Sequence, residues 1–342
     1  MKPFHKRRIL FLLRKRCSTY GVSYGLVNSA RLMCEALRAI GHECRVEIVT
    51  DGNDVDREVT RYNPTHVIIE ALWVTPLKLA ELVGRYHRQR HWVVRIHSDA
   101  PFLATEGMAV QWIREYARQG DGIRYSVKVG CNSIDLADQL RLALEIHAVY
   151  LPNAYPRKMQ EPTGDHDESE VRIGCFGAIR PLKNHLVQAM AAMKFADMIG
   201  RRLKFYVNAE LCEETGGSPI LSNLRALFAH TGHDLVGVTW LDHDAFTSFV
   251  RSMDVGMQVS LTETFNLVAA DMVAGGVPVI GSPSIHWLDG NYKAEPNDIG
   301  AIVRALQWAW KRRAKNGQQV NQRRLMDASA RAVHVWQSWL EE

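Results

Sequence analysis

Cysteine is scarce and unpatterned in this 342-residue chain: the six (Cys17, Cys34, Cys44, Cys131, Cys175, Cys212) form no CxxC pair and share no regular spacing. That excludes a disulfide-stapled scaffold and makes a structural zinc site a poor fit, and it points to free thiols in a reducing, cytoplasmic setting. Long apolar runs are missing too. The first, residues 9–13, is five residues long and lies between Lys6, Arg7, Arg8 and Arg14, Lys15, Arg16. It is too short for a signal-peptide core or a membrane span and suits a buried strand, so no transmembrane segment is expected. Low-complexity tracts and internal repeats are also absent. With 46% hydrophobic and 23% charged residues, the composition is that of an ordinary folded protein.

The length exceeds what one core usually organises, so two domains are expected. Charge divides unevenly between the halves. Residues 1–150 hold 22 Lys and Arg against 16 Asp and Glu, a net of +6, while residues 151–342 carry a net of −1. An anionic partner therefore fits the first half better.

Strand-like and helix-like segments alternate throughout, the pattern of a mainly parallel sheet with crossover helices. In the first half RRILFLL, ECRVEIVT, THVIIEA, HWVVRIH, 123–129 and 147–151 read as strands. Between them come helices over 26–40, up to Tyr62, and over 76–88, 109–118 and 134–142. Residues 157–170 are polar, contain Pro and Gly, and make the best linker. The alternation then restarts. VRIGCFGAI, RLKFYVNAE, DLVGVTWL, DVGMQVSL and VPVIGS are the strands, and 184–199, 219–230, 244–253, 266–274 and 298–315 the helices. The expected fold class is α/β with two doubly wound, Rossmann-like domains. The first spans 1–156 and the second 171–318, with a C-terminal helix over 319–342 that could cross back to the first. In such sheets ligands gather where strands end at the topological switch point, so the loops after strands are the places to inspect.

One of those loops is the most informative. Residues 262–282, TETFNLVAADMVAGGVPVIGS, carry Glu263 and Asp271 on either side of a helix start near Asn266, with Asp271 expected about two turns in. The amides of residues 265–268 and the positive end of the helix suit a phosphate, and flanking carboxylates suit sugar hydroxyls. A phosphate beside several hydroxyls describes a nucleotide sugar. The same spacing also arises from a solvated loop acid and an exposed helix acid.

This segment resembles the motif E-S/T-F-G-L-V-x-x-E-A-M-A-x-G-x-P-V-I/V of retaining GT-B glycosyltransferases of the E-x7-E clan (group 1, family 4-like). GAIRPLKNH at 177–185 is similar to the clan's phosphate loop, LPNAY at 151–155 to its pre-linker P-N-G, and RIHSD at 95–99 falls where the clan has a histidine. The resemblance implies catalytic roles for His97, Glu263 and Lys183. It places the donor against Arg180, Lys183, Glu263, Thr264, Phe265, Asn266, Leu267, Val268 and Asp271, with Glu263 on sugar hydroxyls and Asp271 on the ribose. Gly21, Val22, Ser23, Tyr24 and Gly25 would form a loop near the donor phosphates and the acceptor. The base would be read around Asn208, Trp240, Leu241 and Asp242. Several positions depart from the clan. Asp271 replaces a glutamate, Ala178 stands where the clan has arginine, with Arg180 close by to supply that charge, Asn266 replaces glycine, and GVSYG replaces Gly-Gly.

The implied activity is transfer of a sugar from a UDP-, GDP- or ADP-sugar to an acceptor hydroxyl with retention. The donor is a co-substrate rather than a cofactor, and no protein-held metal is indicated. HTGH at 230–233 and DHD at 242–244 read as loop residues, and Trp308 with Trp310 as a packed face. The basic first half suits an anionic acceptor, either a glycan or lipid at a membrane surface or DNA with hydroxymethylated bases. The alternative is a catalytically silent GT-B protein that binds nucleotides or nucleic acid.

Overall fold

The computed structural model describes residues 5–15, 24–120, 127–163, 167–210, 212, 216–313 and 319–342. The chain divides into two units, Met1–Pro156 with Ala328–Glu342, and Arg157–Asp327. In the first, strands β1 (Arg8–Arg14), β2 (Glu43–Val49), β3 (His66–Glu70), β4 (His91–Ile96), β5 (Val127–Cys131) and β6 (Val149–Tyr150) pair in parallel in the order β2-β1-β3-β4-β5-β6. Helices α1 (Tyr24–Ala39), α2 (Asp54–Tyr62), α3 (Pro76–Glu81), α4 (Ala100–Leu103), α5 (Ala109–Gly120) and α6 (Ile134–Leu144) form the crossovers. The second unit repeats the scheme with β7 (Glu170–Gly174), β8 (Arg202–Val207), β9 (Asp234–Gly237), β10 (Val255–Gln258) and β11 (Val279–Gly281), ordered β11-β10-β7-β8-β9. Its helices are α7 (His185–Met198), α8 (Gly217–Phe228), α9 (His243–Val250), α10 (Leu267–Ala274) and α11 (Ile299–Arg312). The last helix, α12 (Gln319–Glu341), begins in the second unit and from Ala328 belongs to the first.

These are the two doubly wound sheets expected. Because helices cover both faces, β1 buries every residue from Ile9 to Leu13 and shows no polar alternation. Leu10 and Leu12 pack with Val67, Ile69 and Val94, whereas Ile9, Phe11 and Leu13 face Ala30, Met33 and Leu37 of α1 and Trp336 of α12. In the second unit Val171, Ile173, Phe205 and Met257 pack on Ala192 and Phe195 of α7 and on Ile302 and Leu306 of α11.

Several elements are shorter than their apolar patterns suggest. The helix expected over 76–88 is α-helical only to Glu81 and then widens into a π turn, Leu82–Tyr86, closed by the amide of His87 on the Leu82 carbonyl at 3.0 Å. VRIGCFGAI stops pairing at Gly174, and three residues on Gly177 turns the chain at φ +112, a conformation open to glycine at little cost. DLVGVTWL pairs only over β9, an edge strand, and Trp240 beyond it is exposed. In the first sheet the strand expected at 147–151 is reduced to Val149–Tyr150. The strand expected over 123–129 is seen from Val127, and residues 121–126 lie outside the described residues.

Trp336 carries much of the α12 packing. It is fully buried, its indole N–H donates to the Pro152 carbonyl at 2.8 Å, and its ring lies 5.7 Å from Phe11. Trp336→Ala should cost about 3–5 kcal/mol and lower the urea midpoint, with Trp336→Phe recovering most of the loss. An unchanged midpoint would remove α12 from the load this packing assigns it.

Candidate active site

In the second sheet the strand order reverses between β7 and β10, so the loops leaving these two strands open the crevice where doubly wound folds bind ligands. Lys183 ends a short 3-10 turn, Pro181–Lys183, in the first loop, and Glu263 lies in the second. They meet as an ion pair, Lys183 Nζ to Glu263 Oε1 at 2.5 Å, with side chains only 13% and 9% exposed.

Polar residues between the strands set this meeting. Gln188 of α7 donates from Nε2 to the Lys183 carbonyl (2.7 Å) and accepts at Oε1 from the Val259 amide (2.8 Å). The Leu261 amide donates to the Leu182 carbonyl at 2.9 Å. Asn184, held left-handed at φ 58, donates to the carbonyls of Val259 and Pro296. Gly177 lies beside the lysine stem and its amide donates to Asn208 Oδ1 at 2.8 Å. None of these links was read from the sequence, because a side-chain amide bridging two strands leaves no periodic trace.

Helix α10 starts immediately after. Its N-cap, Asn266, is left-handed at φ 57 and accepts from the Ala269 amide at 2.9 Å, while its Nδ2 donates to Gln258 Oε1 at 2.9 Å. Gln258 in turn donates to the Phe176 carbonyl at 2.9 Å. Asparagine tolerates this backbone and adds a cap that glycine cannot. Phe265 is buried against Trp287, whose indole N–H donates to the Phe265 carbonyl at 2.7 Å. Leu267 and Val268 open the helix half-buried, and Thr264 is half-buried before it.

Asp271 differs from expectation. It is the fifth residue of α10, little more than one turn in rather than two: at 3.6 residues per turn, five residues from Asn266 span under one and a half turns. It is 4% exposed, and its Oδ1 lies 2.9 Å from Nε2 of His243. Of the residues expected near the base, Asn208 is buried and Leu241 half-buried. The exposed Trp240 donates its amide to Glu210 at 3.0 Å, and Asp242 caps α9 by accepting from the Ala245 amide at 2.8 Å. Arg180 precedes the 3-10 turn, half-buried, with its carbonyl accepting from the Lys183 amide at 3.0 Å.

In the first unit, His97 follows β4 and its side chain is 9% exposed. Its Nε2 contacts Glu70 Oε2 and its Nδ1 lies 3.4 Å from the Asn132 amide nitrogen, an arrangement that selects the Nε2–H tautomer. Glu70 also pairs with the fully buried Arg95 at 3.1 Å. Burial pushes the Glu70 carboxyl up, but Arg95 and His97 more than offset this and leave it below its ordinary range. Burial, with Arg95 beside it, shifts the His97 imidazole below its ordinary range against the pull of Glu70. Tyr24 and Gly25, expected in a loop, are the first residues of α1; Gly21, Val22 and Ser23 lie outside the described residues.

Among the described residues no group of three or more His, Cys, Asp or Glu could hold a metal ion, and no helix is long and apolar enough to cross a membrane. His233 of the HTGH segment bonds Asp197 and the Leu203 amide, and Trp308 and Trp310 are covered by Arg312 and Arg313.

Solved structures share this pair of switch-point sheets over nearly the whole chain. The chain matches a sucrose-phosphate synthase from Thermosynechococcus elongatus (TM-score 0.69, 15% identity, 98% of this chain and 99% of that one). It matches HepE from Anabaena, in complex with UDP and glucose (TM-score 0.68, 13% identity, 98% of each), and a glycosyltransferase from Rickettsia africae (0.64, 12%, 97% of each). The fold is GT-B. No protein-family model and no curated protein sequence matches the chain.

His185, the first residue of α7, is 1% exposed, and neither ring nitrogen has a hydrogen-bond partner among the described residues. Burial, helped by Lys183 and Arg180, pushes its pKa down to about 3. The unfolded chain takes up this proton below about pH 6.5, whereas the folded chain refuses it until about pH 3. Stability from this group is therefore intact above pH 6.5 and falls as pH drops towards 3, at up to about 1.4 kcal/mol per pH unit. His185→Leu should flatten the decline of the urea midpoint between pH 6.5 and 4; a slope equal to that of the wild type would place the acid sensitivity elsewhere.

Proposed function

We propose that the chain is a retaining glycosyltransferase that moves a sugar from a nucleotide diphosphate sugar to a hydroxyl of an anionic acceptor. The observation that carries this reading is the Lys183–Glu263 pair, set at the switch point just ahead of the α10 N-terminus within a GT-B fold. The first, more basic half of the chain favours the anionic acceptor.

In this reaction the bond from the anomeric carbon to the phosphate oxygen breaks, and the acceptor oxygen bonds that carbon on the same face. The acceptor proton passes to the departing phosphate. Charge grows on the leaving diphosphate and an oxocarbenium-like centre forms, so positioning and charge stabilisation account for most of the catalysis. Lys183 and the first amides of α10 answer the leaving charge. Glu263 accepts from sugar hydroxyls, Asp271 serves the ribose, and Arg180 supplies the charge that Ala178 does not. His97, its ring held by Glu70, keeps the role towards the transferred sugar that the resemblance implies. Asn208 and Trp240 to Asp242 are assigned to the base, and residues 21–25 to the phosphates and acceptor. No protein-held metal is assigned.

Turnover of UDP-, GDP- and ADP-sugars, followed as nucleotide release with and without candidate acceptors, tests the reading. At least one donor should turn over, and Glu263→Gln and Lys183→Met should each slow it by about 100-fold or more. Variants as fast as the wild type would sink the assignment. If the acceptor is a modified duplex DNA, binding must weaken steeply with salt; a small glycan or lipid acceptor lacks that slope.

A further inference from the structure

Asp271 is one of the points at which this chain departs from the pattern it resembles, since its side chain is one methylene shorter than the glutamate expected there. It is also the buried acid whose partner no motif announces. His243 is the first residue of α9, and its Nε2 lies 2.9 Å from Asp271 Oδ1, with side chains 20% and 5% exposed. The histidine backbone is fixed. Asp242 caps the helix through the Ala245 amide and accepts at its carbonyl from the Phe246 amide at 2.8 Å. Phe246 and Phe249 pack edge-on against Phe176 at 5.4 and 5.9 Å. The ring is thus presented to α10 by a rigid helix, and its partial exposure leaves room for contact with a bound molecule.

We propose that His243 is the positioning residue through which Asp271 reads the ribose hydroxyls of the donor nucleotide, the imidazole replacing the reach that the shorter acid has given up. This rests on the nucleotide-sugar reading above. An aspartate at this depth must be aimed to accept from a vicinal diol, and a ring nitrogen on one oxygen fixes the plane of the carboxylate. The hydrogen bond from His243 to Asp271, and then their mutual charge, hold the imidazolium above its ordinary range against burial. Arg157 opposes this and Asp244, on the same helix, supports it. A protonated His243 close to the nucleotide also favours an anionic ligand. Donor affinity therefore falls as pH rises through the titration of His243.

The experiment uses the full chain and calorimetric binding of UDP-glucose, GDP-mannose and ADP-glucose, whose diphosphates do not titrate between pH 6 and 9. The best donor is then compared with its 2′-deoxyribose analogue. Wild-type affinity should fall about three- to tenfold from pH 6 to 9 and should drop about tenfold on loss of the 2′-hydroxyl. His243→Gln should flatten the pH profile. His243→Phe should erase most of the ribose discrimination while the melting temperature, measured in parallel, shows the protein folded. Asp271→Glu introduced into His243→Phe should restore that discrimination, because the longer acid no longer needs the ring. A His243→Gln profile as steep as the wild type, or full discrimination in His243→Phe, overturns the inference while leaving the donor reading intact. Failure of the wild-type chain to bind any of the three donors overturns both.

Discussion

Everything assigned to the second unit depends on one constraint, the stitching of the loop after β7 to the loop after β10. Gln188 bonds both sides, Asn184 bonds Val259 just after β10 and the segment at Pro296, and Gln258 ties the Phe176 carbonyl to Asn266. These side chains are amides rather than ions, so each can donate and accept in a fixed geometry without the desolvation cost of a charge. Their effect is to bring a lysine and a glutamate from residues 80 apart in sequence to 2.5 Å. A flexible pair on the surface would contribute little. Here the backbone under each member is held, so the charges are placed before any ligand arrives, and that preorganisation is what charge stabilisation in a transition state requires.

The fold was legible because burial on both sheet faces leaves a strong mark in the sequence. Residues 9–13 suit a covered strand better than a signal or membrane segment, and the alternation of such runs with helical periods points to a parallel sheet twice over. Element ends were less legible. They depend on single conformational events, such as the left-handed turn at Gly177 or the π turn after Glu81, that hydrophobic period does not register. The short edge strands β6 and β9 are another case, since an edge has one neighbour and its apolar run outlasts its pairing.

At the site, the two acids stand out in the sequence by their spacing and the lysine by the resemblance, whereas the side chains that support them leave no such mark. The sequence presents DHD at 242–244 as an ordinary loop triplet. In the structure its first member is an N-cap and its second is the partner of Asp271, roles fixed by a helix packing against another helix. Asn266 shows the reverse relation. In the sequence it is only a departure from a glycine, yet its positive φ, its cap bond and its anchor to Gln258 give it a defined structural part.

The buried cluster of the first unit obeys a different rule. Arg95 is fully buried, and its guanidinium is spent on Glu70, on the Leu151 carbonyl at 2.8 Å and on Asn153, with the Trp336 ring 5.3 Å away. Asn153 is itself held by Ser29 at 2.7 Å. Apolar residues of the same volume would often serve stability as well as a buried ion pair, so the folding energy of this cluster is not its distinguishing product. What the cluster does accomplish is to keep Glu70 ionised in a single orientation, and through it the tautomer and plane of His97. A histidine whose two nitrogens are committed to Glu70 and Asn132 is not poised to trade protons; it offers a fixed ring edge and a fixed backbone. Any chemistry assigned to this position must therefore use it as a rigid surface rather than as an acid or a base.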